Sequence, residues 1–280
     1  MSMLSFLQYA FMQRAFIVGI LLAIIIPCIG VIVVLKRLSM LGDALSHTSL
    51  AGVAAGLVFG VQPILSAMIT SVAAALGIEA IRKRMPQYSE MSIAIVMSAG
   101  VGLAGVLSGF VSNTANFNSF LFGSIVAVSD FELTLVILVS ISVLLTFILL
   151  YRELFYITLD ERSARLAGVP VRAVNTIFTI LTAVTVSIAA RTVGALIVSS
   201  LMVVPVACAM QFAKSYKQTV LLSILFAVVF TISGLIISYY LTLKPGGTIV
   251  LIAVLSLVLI LLGKRVRQRF VSLRPATQGR

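Results

Sequence analysis

The chain is 280 residues long, 61% hydrophobic and only 10% charged, with a mean hydropathy of +1.20. A soluble domain carries about 25% charged residues, so this composition excludes one and indicates a single integral membrane domain over residues 1–280. The net charge of +12 fits basic loops held against an anionic membrane face rather than nucleic acid, because no basic stripe is interleaved with aromatics.

A membrane-spanning helix needs an apolar run of about 20 residues. Such runs fall at about 15–35, 39–60, 63–81, 91–111, 131–151, 173–190, 193–212, 219–240 and 247–263. The expected fold is therefore an all-α polytopic membrane protein with about nine transmembrane helices; eight, with one segment re-entrant, is the alternative. The stretch before the first run lacks the basic region of a cleavable signal. Cys28 and Cys208 lie inside apolar runs and read as buried thiols. Pro27 and Pro205 are expected to kink their helices, which neighbours in a membrane can tolerate. The short apolar piece at 117–129 is too short to span and is expected to pack in an outer loop. Glu79 is expected to snorkel or to pair with Arg82 or Lys83. Met40, Met202 and Met210 read as gap-filling core, or as a path for a soft metal.

Basic residues orient the chain. With the N-terminus outside and the C-terminus inside, all but Arg14, Arg191 and Lys244 of the 20 lysines and arginines fall in cytoplasmic loops or in the basic tail 264–280. The positive-inside rule requires that asymmetry.

The second run is the least apolar and carries the most chemistry. It reads Arg37-Leu-Ser-Met-Leu-Gly-Asp-Ala-Leu-Ser-His-Thr-Ser-Leu-Ala-Gly52 and holds the only histidine, His47, four residues after Asp43. On a helix that spacing puts both side chains on one face, one turn apart. His47 is ten residues past Arg37, or about 15 Å, which is near the middle of a ~30 Å hydrocarbon core. Ionisable groups there mark function, and a carboxylate with an imidazole is half of a divalent-metal site. Ala44, Thr48, Gly52, Gly56 and Gly60 recur at every fourth residue as a ridge of small side chains. Such a ridge packs helices closely, either against another helix of the same chain or against the same helix of a second copy. The second reading is the one taken here, because a homodimer axis would bring together two aspartates and two histidines.

The loop at 152–172 is the second informative stretch. In Asp160-Glu-Arg-Ser-Ala-Arg-Leu-Ala-Gly168, Asp160 is placed to cap a short helix that Glu161 begins, Arg165 lies near its end and Gly168 terminates it. Ala164, Leu166 and Ala167 are expected to form an exposed contact surface. The segment is either an ordinary surface helix or a docking helix for a cytoplasmic partner. The chain has no phosphate-binding Gly-x-x-x-x-Gly-Lys-[Ser/Thr] loop and no nucleophile–base pair, so it is expected neither to hydrolyse ATP nor to be an enzyme.

Three stretches carry a family resemblance: Leu35-Lys-Arg-Leu-Ser-Met-Leu-Gly-Asp-Ala-Leu-Ser-His47, Asp160-Glu-Arg-Ser-Ala-Arg-Leu-Ala-Gly-Val-Pro170, and Arg191-Thr-Val-Gly-Ala-Leu-Ile-Val-Ser-Ser-Leu-Met-Val-Val-Pro-Val-Ala207. Over nearly its whole length the chain resembles the permease subunits of bacterial ABC importers for zinc and manganese. The resemblance implies a homodimer in the bacterial cytoplasmic membrane, two cytoplasmic ATPase subunits that bind the ATP, and an extracytoplasmic metal-binding protein. It implies that Asp43 and His47 bind metal in transit, and that 160–168 is the coupling helix that docks on the ATPase. No cofactor is expected to stay bound; the metal is cargo. Zinc is favoured, with manganese or iron as alternatives. The competing functions are an ion-coupled secondary metal transporter and an ABC permease for a metal chelate.

Overall fold

The computed structural model describes residues 10–111, 128–195 and 197–272. Among these the chain is helical and contains no strand. The helices are α1 (Ala10–Leu35), α2 (Leu41–Phe59), α3 (Pro63–Arg84), α4 (Ser89–Ser108), α5 (Asp130–Leu149), α6 (Tyr151–Leu159), α7 (Glu161–Leu166), α8 (Val171–Ala189), α9 (Val198–Met210), α10 (Tyr216–Leu241) and α11 (Pro245–Ser272). A 3₁₀ turn at Pro86–Tyr88 leads into α4, and a π-helical turn at Ala190–Gly194 extends α8.

Each of the nine expected apolar segments falls on a helix. Seven of these helices are long and apolar enough to cross a membrane, counting α8 with its π-turn. The other two are α2 and α9. The 19 residues of α2 include Asp43, Ser46, His47, Thr48 and Ser49, which lower its apolarity. At 13 residues, α9 rises only about 20 Å, short of a ~30 Å hydrocarbon core. Pro27 and Pro205 both stay inside helices, α1 and α9. The short apolar piece expected at 117–129 lies outside the described residues except at its last two positions.

The most apolar helix, α1, is the centre of the bundle, and α5, α9 and α10 pack on it. A second group forms where α2 lies against α3 and α4, with α8 closing over α3. Hydroxyls join these helices across their interface: the Ser71 hydroxyl donates to the Ala183 carbonyl (3.3 Å) and the Ser187 hydroxyl to the Ala67 carbonyl (3.4 Å). Large apolar side chains such as Ile141, Leu145, Ile148, Leu251, Leu255 and Leu259 remain exposed on the outer helices, as a lipid-facing surface requires.

Ion pairs fasten both ends of the bundle. At one end Arg14 meets Asp130 (2.8 Å) and the Arg191 Nε donates to Glu132 Oε1 (2.7 Å). Glu132 also closes a capping box on Ser129 that starts α5. At the opposite end Glu79 pairs with Arg82 (2.8 Å) and Lys83 (3.6 Å), as its position at the end of α3 led us to expect. That second end is the basic one, where Lys36, Arg82, Lys83, Arg165 and Arg172 surround a cavity of about 660 Å³ that also contains Glu79 and Glu161.

Candidate functional site

Asp43 lies in the first turn of α2, where a carboxylate suits the helix dipole. His47 follows one turn later on the same face. Both are only partly buried, whereas Gly42, Ala44, Leu45, Ser46, Thr48, Ser49 and Leu50 around them are buried. The pair thus occupies the one strip of this part of α2 that its own chain leaves accessible. Among the described residues no hydrogen bond or ion pair engages the His47 imidazole. Asp43 is held: the Ser199 hydroxyl on α9 donates a hydrogen bond to its Oδ1.

The approach of α9 depends on glycines. A Cβ on Gly30 of α1 would fall 2.1 Å from the Met202 carbonyl oxygen, and one on Gly42 would fall 2.4 Å from Met202 Cε and 3.3 Å from the Ser199 Cα. Met202 is buried between these helices and is core rather than the wall of a path. Met40 and Met210 are exposed. Ser199 sits inside one of the motif stretches above, but nothing in a serine pair within an apolar run marks it as a partner for an aspartate 156 positions away.

Part of the small-residue ridge expected to pack a homodimer packs within the chain. Gly52 is nine residues from Asp43, about two and a half turns, so it faces the opposite side of α2. A Cβ there would fall 1.9 Å from Thr70 Oγ1 and 2.7 Å from the Ala67 Cα, and one on Gly56 would fall 2.9 Å from the Pro63 Cα. Thr48 fits against Gly100 of α4 in the same way. Ala44 is buried too. Gly60 caps the helix in the left-handed conformation (φ +67°). Of the two readings of the ridge, packing within the chain is the one observed at Thr48, Gly52 and Gly56.

One chain supplies too few ligands for a tight metal site. Among the described residues no three His, Cys, Asp or Glu side chains come together in a metal-binding group. Asp43 and His47 offer a carboxylate and an imidazole, and the Ser199 hydroxyl is an oxygen beside Asp43.

The segment at 160–168 folds as its residues dictate. The Asp160 carboxylate accepts from the backbone N–H of Arg162 and Ser163 (3.0 Å each) and from the Ser163 hydroxyl (2.5 Å). The Ser163 hydroxyl, then these N–H groups, hold the Asp160 carboxyl below the usual carboxylate range. Gly168 (φ +84°) ends α7, with Val169 N–H bonded to the Ala164 carbonyl and Gly168 N–H to that of Arg165. Leu166 is 85% exposed, and Arg162, Arg165 and Ala167 are exposed beside it. Ala164 is a correction: it is 2% exposed and belongs to the core, because the opposite side of this short helix must pack on the bundle. Glu161 also turns inward, to Lys36 and Asn175.

The ABC 3 transport family model matches residues 8–264. The chain belongs to that family. It is 36% identical over 257 residues to the "probable metal transport system membrane protein" of Treponema pallidum, covering 91% of this chain and 96% of that one. It is 32% identical to the "manganese transport system membrane protein MntC" of Listeria innocua, with 88% of each chain covered. Among solved structures, "PsaBC from Streptococcus pneumoniae in complex with Fab" superposes with a TM-score of 0.82 at 28% identity, covering 92% of this chain and 94% of that one. Members of the ABC 3 family are transport membrane proteins rather than enzymes.

If Asp43 and His47 bind a transported metal, as proposed below, replacing Ser199 by alanine removes the group that orients Asp43 and leaves both side chains in place. Outer partners of this kind are worth about 10–100-fold in metal affinity. The expected result is a rise of about 10-fold in the metal concentration for half-maximal uptake, with the maximal rate largely kept; an unchanged concentration dependence counts against a role for the contact.

Proposed function

We propose that this chain is the membrane permease of an ATP-driven importer of a divalent metal ion, Mn²⁺ or Zn²⁺, in a bacterial cytoplasmic membrane. The observation that carries the reading is the strip formed by Asp43 and His47. Two ionisable side chains of metal-ligating type, one turn apart, line the accessible strip of the N-terminal half of α2, whose other residues from Leu41 to Ala54 are buried. The family membership and the metal-transport names of the relatives support it.

In this reading α2 crosses with the seven apolar helices, and the α9 segment crosses only with the residues that flank it over 193–212, giving nine spans with the N-terminus outside and the basic end facing the cytoplasm. Two copies approach across the Asp43–His47 strip, not across the glycine ridge, which α3 already occupies. Together they offer two carboxylates to offset the cation's charge and two imidazoles. An extracytoplasmic metal-binding protein delivers the ion, and two ATPase subunits dock on α7. Binding must stay weak enough for release, which suits a site assembled from two half-sites. The zinc preference expected from the sequence has no further support: the Asp43 carboxylate with a nearby hydroxyl suits manganese equally.

The deciding experiment reconstitutes the chain with its ATPase in vesicles, adds the binding protein, and follows labelled Mn²⁺ and Zn²⁺. ATP-dependent uptake of one of them is expected. Uptake without the ATPase supports a secondary transporter, and uptake only of a complexed metal supports a chelate permease. The docking role has its own test. Leu166→Asp places a charge at the apolar tip of α7 and should reduce ATPase co-purification about 10-fold or more, as loss of an apolar anchor does; undiminished co-purification removes that assignment.

A further inference from the structure

The docking helix has an inner face as well as an outer one. The Lys36 Nζ, at the end of α1, donates to Glu161 Oε1 on α7 (2.9 Å) and to Asn175 Oδ1 on α8 (2.9 Å), and the Asn175 amide donates to the same Glu161 oxygen (3.0 Å). Arg82 of α3 lies 3.8 Å from that oxygen while holding Glu79 at 2.8 Å. The Lys36 side chain is only 8% exposed. We propose that Lys36 and Glu161 act as positioning residues, forming a strut that makes α7 and the α1–α2 turn move as one body and so carries displacement of the docking helix to Asp43. The proposal rests on the permease reading above.

The path from the strut to the site is short and stiff. After Lys36 the backbone folds through Arg37, in the left-handed conformation (φ 59°). A residue with a side chain disfavours that conformation, so the surrounding bonds must enforce it. They do: Arg37 N–H binds the Val34 carbonyl (3.0 Å), Leu38 N–H that of Val33 (2.9 Å) and Leu41 N–H that of Leu38 (2.8 Å). Leu38 is anchored in the core. α2 then begins at Leu41 and presents Asp43 within its first turn. Only the five turn residues 36–40, tied by these hydrogen bonds, separate α1 from α2.

A second connection reaches the same helix. Arg82 belongs to α3, whose Ser66 and Ala67 press on Gly52. The Glu161 carboxylate therefore reaches α2 twice, through the turn before it and through the helix packed along it. Charge explains why the contact persists. Burial disfavours ionisation of Glu161, but Lys36 and the Asn175 amide outweigh it and keep the carboxyl below its ordinary range. Burial pulls the Lys36 ammonium below its ordinary value, and Glu161 opposes that pull. Separating the two would leave the buried Lys36 ammonium without its carboxylate, with only the Asn175 oxygen to accept from it. Moving them together costs nothing of that kind.

A pair that only stabilises the fold and a strut that transmits motion differ under cross-linking. In the assembled complex, Lys36→Cys/Glu161→Cys should continue to hydrolyse ATP but move about 10-fold less metal per ATP. Joining the two thiols with a short bifunctional maleimide, verified by mass spectrometry, should restore the ratio. The native complex, whose Cys28 and Cys208 are buried, is treated identically as the control. Unchanged metal per ATP in the unlinked variant overturns the strut, and so does a cross-link that leaves the defect or stops residual uptake. Where the cysteine pair does not assemble, Glu161→Gln keeps the shape, removes the charge and is read by the same ratio. Failure of the native complex to move Mn²⁺ or Zn²⁺ at all overturns the permease reading; a coupled native complex with an indifferent variant overturns the strut alone.

Discussion

Asp43→Ala and His47→Ala should each reduce metal uptake to background while leaving the complex assembled. In the proposed dimer either change would remove one ligand type from both copies at once, so that a four-ligand site would become a two-ligand site. Two imidazoles alone leave the cation's charge unbalanced, and two carboxylates alone lose the nitrogen donors that suit first-row metals. The folding cost is small, because both side chains are only partly buried and His47 makes no hydrogen bond or ion pair among the described residues. Asp43→Ala also leaves the Ser199 hydroxyl without its acceptor, at a cost of about 1–3 kcal/mol if no other partner is found. Of the two, Asp43→Ala should therefore show the lower thermal stability. Asp43→Asn separates these effects, since an amide oxygen still accepts from Ser199 but carries no charge. If charge on the carboxylate is what matters, the asparagine variant regains stability and not uptake. Normal uptake in both alanine variants would remove the site assignment.

The parts of the fold that depend on composition were readable in advance. Apolar runs located the helices, and Asp160 and Gly168 marked the ends of α7 because caps are local chemistry. Glu79 found Arg82 and Lys83 because all three lie within one turn. What sequence could not supply was direction around a helix relative to neighbours. The every-fourth ridge on α2 identifies a closely packed face, but a glycine does not say which helix occupies the space. Angular arithmetic alone would have placed Gly52 opposite Asp43, which already argues against one interface serving both. Ala164 went the same way: a six-residue helix has an inner side, and its alanine fills it. Ser199 and Lys36 were out of reach for a different reason. Their partners are remote in the chain, 156 and 125 positions away, and only the folded bundle brings them together.

Gly52→Ala should destabilise the bundle although it adds a single methyl group. The new Cβ would fall 1.9 Å from Thr70 Oγ1, 2.7 Å from the Ala67 Cα and 2.7 Å from the Ser66 carbonyl oxygen. Thr70 can rotate, at the loss of its hydrogen bonds to the Ser66 and Ala67 carbonyls. The backbone atoms of α3 cannot, so α2 and α3 must separate and give up contact along Gly56 and Pro63 as well. Overpacking of this kind costs about 1–3 kcal/mol, which in a chain of this size lowers the melting temperature by several degrees, at about 2–4 °C per kcal/mol. Gly77→Ala on α3 is the control, because nothing lies within 4 Å of its added Cβ and alanine is the better helix former by about 1 kcal/mol. It should melt at the native temperature or above. Thr70→Ala should rescue Gly52→Ala only in part, since it removes the nearest atom and leaves both backbone contacts. A complete rescue would mean that the side chain alone sets the spacing. An unchanged melting temperature for Gly52→Ala would mean that α2 and α3 are not pressed together at Gly52. The position of Gly52, half a turn from Asp43, adds one further constraint. If metal binds at Asp43 and His47 as proposed, the metal concentration for half-maximal uptake should stay near the native value in whatever fraction of the variant folds, because the strain falls on the packed side of α2 and not on the side that carries the pair.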